Sequence, residues 1–312
     1  MNTRLDSMGN PLVERQAPAR VPADTFWERT KEKAADYWAL TKPGIWMLML
    51  IATAATMLAA AKLSLSLPVF LLTLLGTAMA AGGANTLNCY VDRDIDAIME
   101  RTRKRPLPAG RLQPRQALLF GISLLVGSWV VLFWGVNGWA AAAALGGALF
   151  YVFIYTLWLK RSTPQNIVIG GAAGAVPPLI GWAAATGHYS WIAFALFGVI
   201  FLWTPPHFWA LALYRNEDYR RAGVPMMPVV AGVRSTKRQM LLYTVALVAL
   251  SVGLYWLGLG SWIYLAGTLG LGLYYLYLMV KAQRDDSEAM ARRLFRFSIQ
   301  YLGLFYILIA LG

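Results

Sequence analysis

Nine apolar runs, each close to the length a helix needs to cross a bilayer, alternate along this chain with short clusters of charge. They cover roughly 44–60, 68–88, 116–134, 139–158, 165–185, 190–212, 239–257, 261–281 and 294–311. A helix crosses the hydrocarbon core with about 20 apolar residues. Buried helices of a soluble core would carry polar outer faces, and these runs lack them. The pattern therefore predicts an all-α integral membrane protein with nine transmembrane helices. Composition sets the same limit: 14% charged residues cannot cover the water-facing surface of a 312-residue globule, and 58% apolar residues exclude disorder. The single cysteine, Cys89, excludes an internal disulfide.

A net charge of +13 in a soluble protein would suggest nucleic acid. In a multi-pass chain it is read by position, because Lys and Arg gather on the cytoplasmic side. With nine spans and a cytoplasmic N-terminus, every one of the 28 basic residues except Lys62 falls on that side, and the C-terminus lies outside. The charge is then an orientation signal and no nucleic-acid partner is needed. All 15 carboxylates fall on the inner side too. Asp and Glu do not follow the inside rule, so their clustering asks for a functional explanation. Residues 1–43 mix both charge signs with Pro18 and Pro22 and hold no apolar stretch of signal-peptide length, so they read as a cytoplasmic tail. Residues 44–312 read as one transmembrane domain. Outer loops such as 135–138 and 186–189 are too short to hold a site, which leaves two long inner loops as the seat of chemistry.

The second run leads into Asn88, Asp92 and Asp96, followed by Glu100 and then Arg101, Arg103, Lys104 and Arg105. On a helix, side chains four apart step round by only about 40° and share a face. Asp94 points to the other side. Carboxylates at this spacing repel and Asp is an indifferent helix former, so the arrangement is unfavourable unless a cation sits between them. Mg²⁺ suits the place: it prefers oxygen ligands, binds through one or two carboxylates and completes its shell with water and substrate phosphate. A diphosphate bridged by Mg²⁺ still carries charge for Arg103, Lys104 and Arg105 to clamp. A solvated loop with weak surface pairs is the better account of Asp94 and Glu100. Ionisable groups at a membrane helix end are costly and serve function, which favours the metal for Asn88, Asp92 and Asp96.

This spacing after a membrane helix, followed by Arg105-Pro-Leu-Pro-Ala-Gly110, resembles the first signature of the intramembrane UbiA-type prenyltransferases. Those enzymes transfer an isoprenoid from its diphosphate to an aromatic acceptor. The resemblance implies that Asn88, Asp92 and Asp96 hold Mg²⁺ on the diphosphate, and that ionisation leaves an allylic carbocation for the acceptor to attack. The stretch 201–210 with Pro205, Pro206 and His207, the loop 214–228, and Gly174 to Trp182 resemble the haem-prenylating branch of that superfamily. The likeness covers most of the chain beyond the tail. It implies farnesyl diphosphate and haem B as substrates, conversion of a haem vinyl group to the hydroxyethylfarnesyl group of haem O, and a product destined for haem-copper oxidases. A haem-modifying enzyme or an oxidase assembly factor is the partner class such a product implies. The expected setting is the bacterial cytoplasmic (inner) membrane, because the tail is short and acidic residues are frequent in it, unlike a transit peptide.

One departure concerns the second loop. The wider superfamily carries two carboxylates four apart there, whereas Asp218 has Tyr214 and Ala222 at those offsets. Glu217 and Asp218 are adjacent, about 100° apart if helical. Asp218 is the expected ligand, Asn216 and Glu217 its helpers, and Arg220 a further diphosphate clamp. His207 sits inside an apolar run and is a natural axial ligand for haem iron; the alternative is a packing His bonded to a neighbouring helix. Tyr90, Trp203, Phe208 and Trp209 are candidates to shield a farnesyl cation. The small-residue stretches Ala81 to Ala84 and Gly170 to Gly174 read as sites of close helix approach. Three alternatives stand beside this reading. One is a quinone-precursor or chlorophyll-type acceptor. Another is a transporter, which should carry charge at mid-membrane depth. The third is a haem-binding protein without catalysis, which would not need the Asn88, Asp92, Asp96 face.

Overall fold

The computed structural model describes residues 26–61 and 65–311; Lys62, the basic residue expected on the outer side, lies outside them. Among the described residues every regular element is helical. The chain begins with α1 (Phe26–Leu40), α2 (Pro43–Ala61), α3 (Leu67–Val91), the short α4 (Arg93–Ile98), α5 (Pro114–Gly135) and α6 (Gly138–Leu149). A π-helical segment (Phe150–Leu159) continues α6 and passes into α7 (Lys160–Ser162). Then follow α8 (Asn166–Gly174), α9 (Pro177–Thr186), α10 (Trp191–Tyr214), α11 (Asn216–Arg221) and α12 (Met227–Val230). The last long helices are α13 (Gly232–Gly253), α14 (Trp262–Ala282) and α15 (Glu288–Leu311). Packing divides the chain into two units between Ala35 and Asp36. Within the second, Leu40 is fully buried and Thr41 nearly so, so the residues just ahead of Pro43 pack with the spans.

Among the described residues eight segments are long and apolar enough to cross a membrane: α2, α3, α5, Gly138–Ser162, Asn166–Thr186, α10, α14 and α15. The seventh expected run, 239–257, falls on α13. That helix has 22 residues, but it begins at Gly232, ahead of the apolar run, and Arg234, Lys237 and Arg238 stand in its first turns. The fifth run is not one helix. Its chain breaks between Gly174 and Pro177, where two prolines at the start of α9 remove backbone donors and restart the helix. The packing is that of a closed bundle, with α3 against α5, α2 against α9, α10 against α13 and α15, and α15 back against α2.

Small residues allow the closest of these approaches. A Cβ on Gly181 would lie 2.5 Å from the backbone oxygen of Thr53, where α9 crosses α2. Backbone cannot yield as a side chain can. Gly181→Ala is therefore expected to destabilise the protein by about 1–3 kcal/mol, read as a lowered melting temperature in detergent. Gly174→Ala, with nothing within 4 Å of the added carbon, is the matched control and should leave the melting temperature within a degree or two (order of magnitude).

Candidate active site

The bundle encloses a cavity of about 490 Å³. Its walls are apolar, drawn from α2, α3, α6, α8, α9, α10 and α15, and its polar groups are concentrated where α3 ends. The residues of the first acidic motif lie there, in a form the spacing alone does not show. The α3 helix stops at Val91, Asp92 occupies the junction, and α4 restarts at Arg93. Backbone bonds from Asp92 N to Asn88 O (2.9 Å) and from Asp96 N to Asp92 O (2.8 Å) carry the four-residue register through the break. Asn88, Asp92 and Asp96 are all buried, and Asp92 is 0% exposed.

Each carboxylate faces a cation. Asp92 Oδ2 accepts hydrogen bonds from Asn88 Nδ2 (2.7 Å) and from Lys160 Nζ. Asp96 Oδ2 accepts from Arg105 at 2.7 Å. Lys42 Nζ donates to Asn88 Oδ1 at 2.5 Å. Lys42, Arg101, Arg105 and Lys160 line the cavity together with Asn88 and Asp96, an excess of positive charge suited to a polyanion. Burial, aided by the nearby Arg105 and Lys160 cations, pushes the Lys42 ammonium below its ordinary value. Lys42 is also, among the described residues, the single non-glycine at positive φ (55°). Backbone held in that sparsely populated region is a feature of functional sites, and here it precedes Pro43, the first residue of α2.

The cavity cations are not the Arg103, Lys104, Arg105 trio of the basic run that follows the acidic motif. Arg103 and Lys104 are exposed, and of that trio Arg105 alone lines the cavity. Lys42 lies in the stretch that reads as tail and Lys160 among the charges that set orientation; neither carries a local motif, and both arrive from distant segments. Arg161 is engaged by Asp94 (2.8 Å), whose carboxyl that guanidinium holds down to about 2. Asp94 is thus exposed and paired with Arg161, from a distant segment and not from its own loop.

In the second loop, Asp218 is buried and its Oδ2 has no hydrogen-bond partner, with Arg215 at 3.8 Å. Its neighbour Tyr219 lines the cavity and accepts a hydrogen bond from Arg101 at 3.3 Å, which ties the two loops together. Asn216 and Glu217 instead line a separate hollow with Lys237, Asp285 and Asp286. Glu217 is exposed and pairs along its own helix with Arg220 and Arg221, both exposed. The loop thus brings Tyr219 to the cavity, buries Asp218 behind it with Arg215 nearby, and turns Asn216, Glu217 and Arg220 elsewhere.

The residues fit a magnesium ion. The donors are oxygens, and Asp92 Oδ1 is buried without a hydrogen-bond partner. Lys160 and Arg105 already compensate the carboxylates with positive charge. Among the described residues no three Asp, Glu, His or Cys side chains gather at one point. An ion held here would take two carboxylates and an amide, leaving its other positions to phosphate and water.

Across the cavity, His207 is sandwiched between Trp203 (ring centroids 4.2 Å apart) and Phe295 (4.7 Å). Its Nδ1 lies 2.7 Å from Ser298 Oγ, and that hydroxyl donates its one proton to Phe295 O at 2.6 Å. Ser298 can then only accept from the imidazole, so Nδ1 carries the ring proton and Nε2 keeps a free lone pair. Of the four aromatic candidates, Trp203 and Phe208 line the cavity. Trp209 is fully buried against Tyr243, and Tyr90 is covered by Arg93 at 4.9 Å. Tyr151 and Tyr155, a stacked pair on the π segment that no periodicity argument singles out, also line the cavity. Gly170 and Gly171 serve both purposes, admitting Tyr155 and Thr204 and lining the cavity, and Ala81 and Ala84 line it with them.

Residues 48–302 match the model of the UbiA prenyltransferase family. The chain belongs to the UbiA prenyltransferase family. Its relatives include the protoheme IX farnesyltransferase of Gloeobacter violaceus, 54% identical over 275 residues, covering 87% of this chain and 90% of the relative. That of Symbiobacterium thermophilum is 52% identical over 274 residues, covering 87% and 92%. Among solved structures, digeranylgeranylglyceryl phosphate synthase superposes with a TM-score of 0.75 at 20% identity, covering 90% of this chain and 98% of that one. A UbiA homolog from Archaeoglobus fulgidus, solved with DMAPP and Mg²⁺, gives 0.69 at 19% identity, covering 89% and 100%. UbiA membership makes the chain an enzyme of prenyl transfer built as a multi-pass helical membrane protein.

Proposed function

We infer that this UbiA enzyme transfers the farnesyl group of farnesyl diphosphate to a vinyl group of haem B, giving haem O and diphosphate. The observation that carries the reading is the buried Asn88, Asp92, Asp96 face with its cations at the end of an apolar cavity that also holds a histidine lone pair. Identity above 50% to protoheme IX farnesyltransferases supports the choice of acceptor.

In this reading Asn88, Asp92 and Asp96 hold Mg²⁺, with Asp218 as the contribution of the second loop. Bound there, Mg²⁺ supplies Lewis-acid neutralisation of the diphosphate oxygens. Lys42, Arg101, Arg105 and Lys160 bind the same oxygens and stabilise the charge that grows on them as the carbon–oxygen bond breaks, preorganised and so without reorganisation. Tyr151, Tyr155 and Trp203 present ring faces to the allylic cation, while the apolar walls keep water from it. His207 Nε2 orients the acceptor by binding haem iron. A vinyl carbon forms the new carbon–carbon bond, water adds to the porphyrin-side cation, and one proton is released. Arg103, Lys104 and Arg220 act in this scheme by drawing anionic substrate toward the inner face, with Asn216 and Glu217 beside Arg220 on the second loop and Glu217 paired to it. The site lies on the cytoplasmic side of a nine-span protein in a bacterial inner membrane. Residues 1–43 are its tail, α13 is a full span, and the product passes to a haem-modifying enzyme or an oxidase assembly factor.

Haems extracted from cells overproducing the chain test this reading by chromatography. A later-eluting, more hydrophobic haem is expected. An unchanged haem profile, with prenylation of hydroxybenzoate by the same membranes, would move the assignment to a quinone-precursor acceptor.

A further inference from the structure

We propose that Thr156, which does not itself touch substrate, is a positioning residue that orients the Asn88 amide so that oxygen, not nitrogen, faces the metal and diphosphate. The inference rests on the reading of Asn88 and Asp92 as metal-holding residues.

Thr156 is fully buried in the π segment. Its hydroxyl lies 2.8 Å from the carbonyl oxygen of Tyr151 and 3.1 Å from Asn88 Nδ2. A hydroxyl has one proton to give, and a carbonyl can only accept, so that proton goes to Tyr151. A lone pair is left facing Asn88. It attracts the amide N–H and would repel the amide oxygen. Asp92 Oδ2, another acceptor, lies 2.7 Å from the same nitrogen. Two acceptors thus hold the two amide protons and turn Oδ1 away from them. Lys42, which has only donors, meets that oxygen.

The π segment creates this arrangement. Six buried threonines elsewhere in the bundle, Thr53, Thr73, Thr86, Thr204, Thr244 and Thr268, donate to the carbonyl four residues back. Thr156 donates five back. The widened turn carries Thr156 to the level of Asn88, with Tyr151 and Tyr155 on the cavity wall and Lys160 at Asp92. An insertion of this kind inside an α-helix marks a functional segment.

An amide deprived of one acceptor spends part of its time flipped, with nitrogen where a metal needs oxygen. Outer partners of metal-holding groups are worth about 10–100-fold in affinity. The test uses the full chain in detergent with farnesyl diphosphate and Mn²⁺ as probe, following free Mn²⁺ by electron paramagnetic resonance. Thr156→Val is expected to weaken Mn²⁺ binding about tenfold, and Thr156→Ser, which keeps the hydroxyl, to restore it to within about twofold. Thr156→Ala, which also lacks the acceptor, replaces the valine variant if that does not fold. Wild-type affinity in a folded variant lacking the hydroxyl, or equal weakening in the serine variant, overturns the inference alone. Wild-type protein whose Mn²⁺ binding is unaffected by Asp92→Asn overturns the metal reading and this inference with it.

Discussion

Asp92→Asn is expected to lower product formation by about a thousandfold, at unchanged abundance in the membrane. Asp92 is the most enclosed group of the site: it is 0% exposed, with one oxygen shared by Asn88 and Lys160 and the other without a hydrogen bond, Arg161 lying 3.8 Å from it. The substitution keeps shape and removes charge. It costs the site twice, because the free oxygen no longer attracts a divalent ion and Lys160 loses its counter-charge. Breaking a fully buried pair costs about 3–5 kcal/mol. Lys160, whose side chain is 15% exposed, recovers part of that through water, so the fold should survive. Activity is read as prenylated haem per unit of protein by immunoblot, with Mg²⁺ and farnesyl diphosphate in excess. Wild-type conversion by a well-expressed variant would remove Asp92 from the mechanism.

The second large effect separates the cations the structure brings to the cavity from those that only follow the motif in sequence. Lys160→Met should lower kcat/KM for farnesyl diphosphate by about a hundredfold, whereas Arg103→Ala and Lys104→Ala should change it by less than about threefold. Lys160 lies at the cavity wall against Asp92, where a charge is shielded from water and acts at full strength on a phosphate oxygen. Arg103 and Lys104 are exposed, where salt and solvent screen them. Methionine preserves the length and apolar stem of lysine, so a loss reports charge. The ratio of the two effects is the measurement. A stronger effect of the exposed pair would return the diphosphate clamp to the basic run itself.

How much of this was legible beforehand varies with the range of the signal. Asn88, Asp92 and Asp96 lie within one short stretch, and four-residue spacing carries their shared face even though the helix breaks at Asp92. His207 stood out as an ionisable group in an apolar run, but its free lone pair depends on Ser298, far along the chain. Asp218 and Glu217 are neighbours in sequence with equal local credentials. Only packing buries the first and leaves the second on the surface. The apolar run covering 139–158 looks like any other span, since hydropathy does not register whether a helix closes its hydrogen bonds four or five residues back.

By itself, the sequence determined the environment and the chemistry available. Transfer free energy places long apolar runs in lipid whatever their order, and oxygen ligands four residues apart are a local property of a helix. Tertiary structure alone decided which charges meet. Lys42 reaches Asn88, Lys160 reaches Asp92 and Arg101 reaches Tyr219 from segments 46, 68 and 118 residues away. A charge takes on its role here from the low-dielectric pocket and the partner it is packed against, and neither exists until the bundle closes.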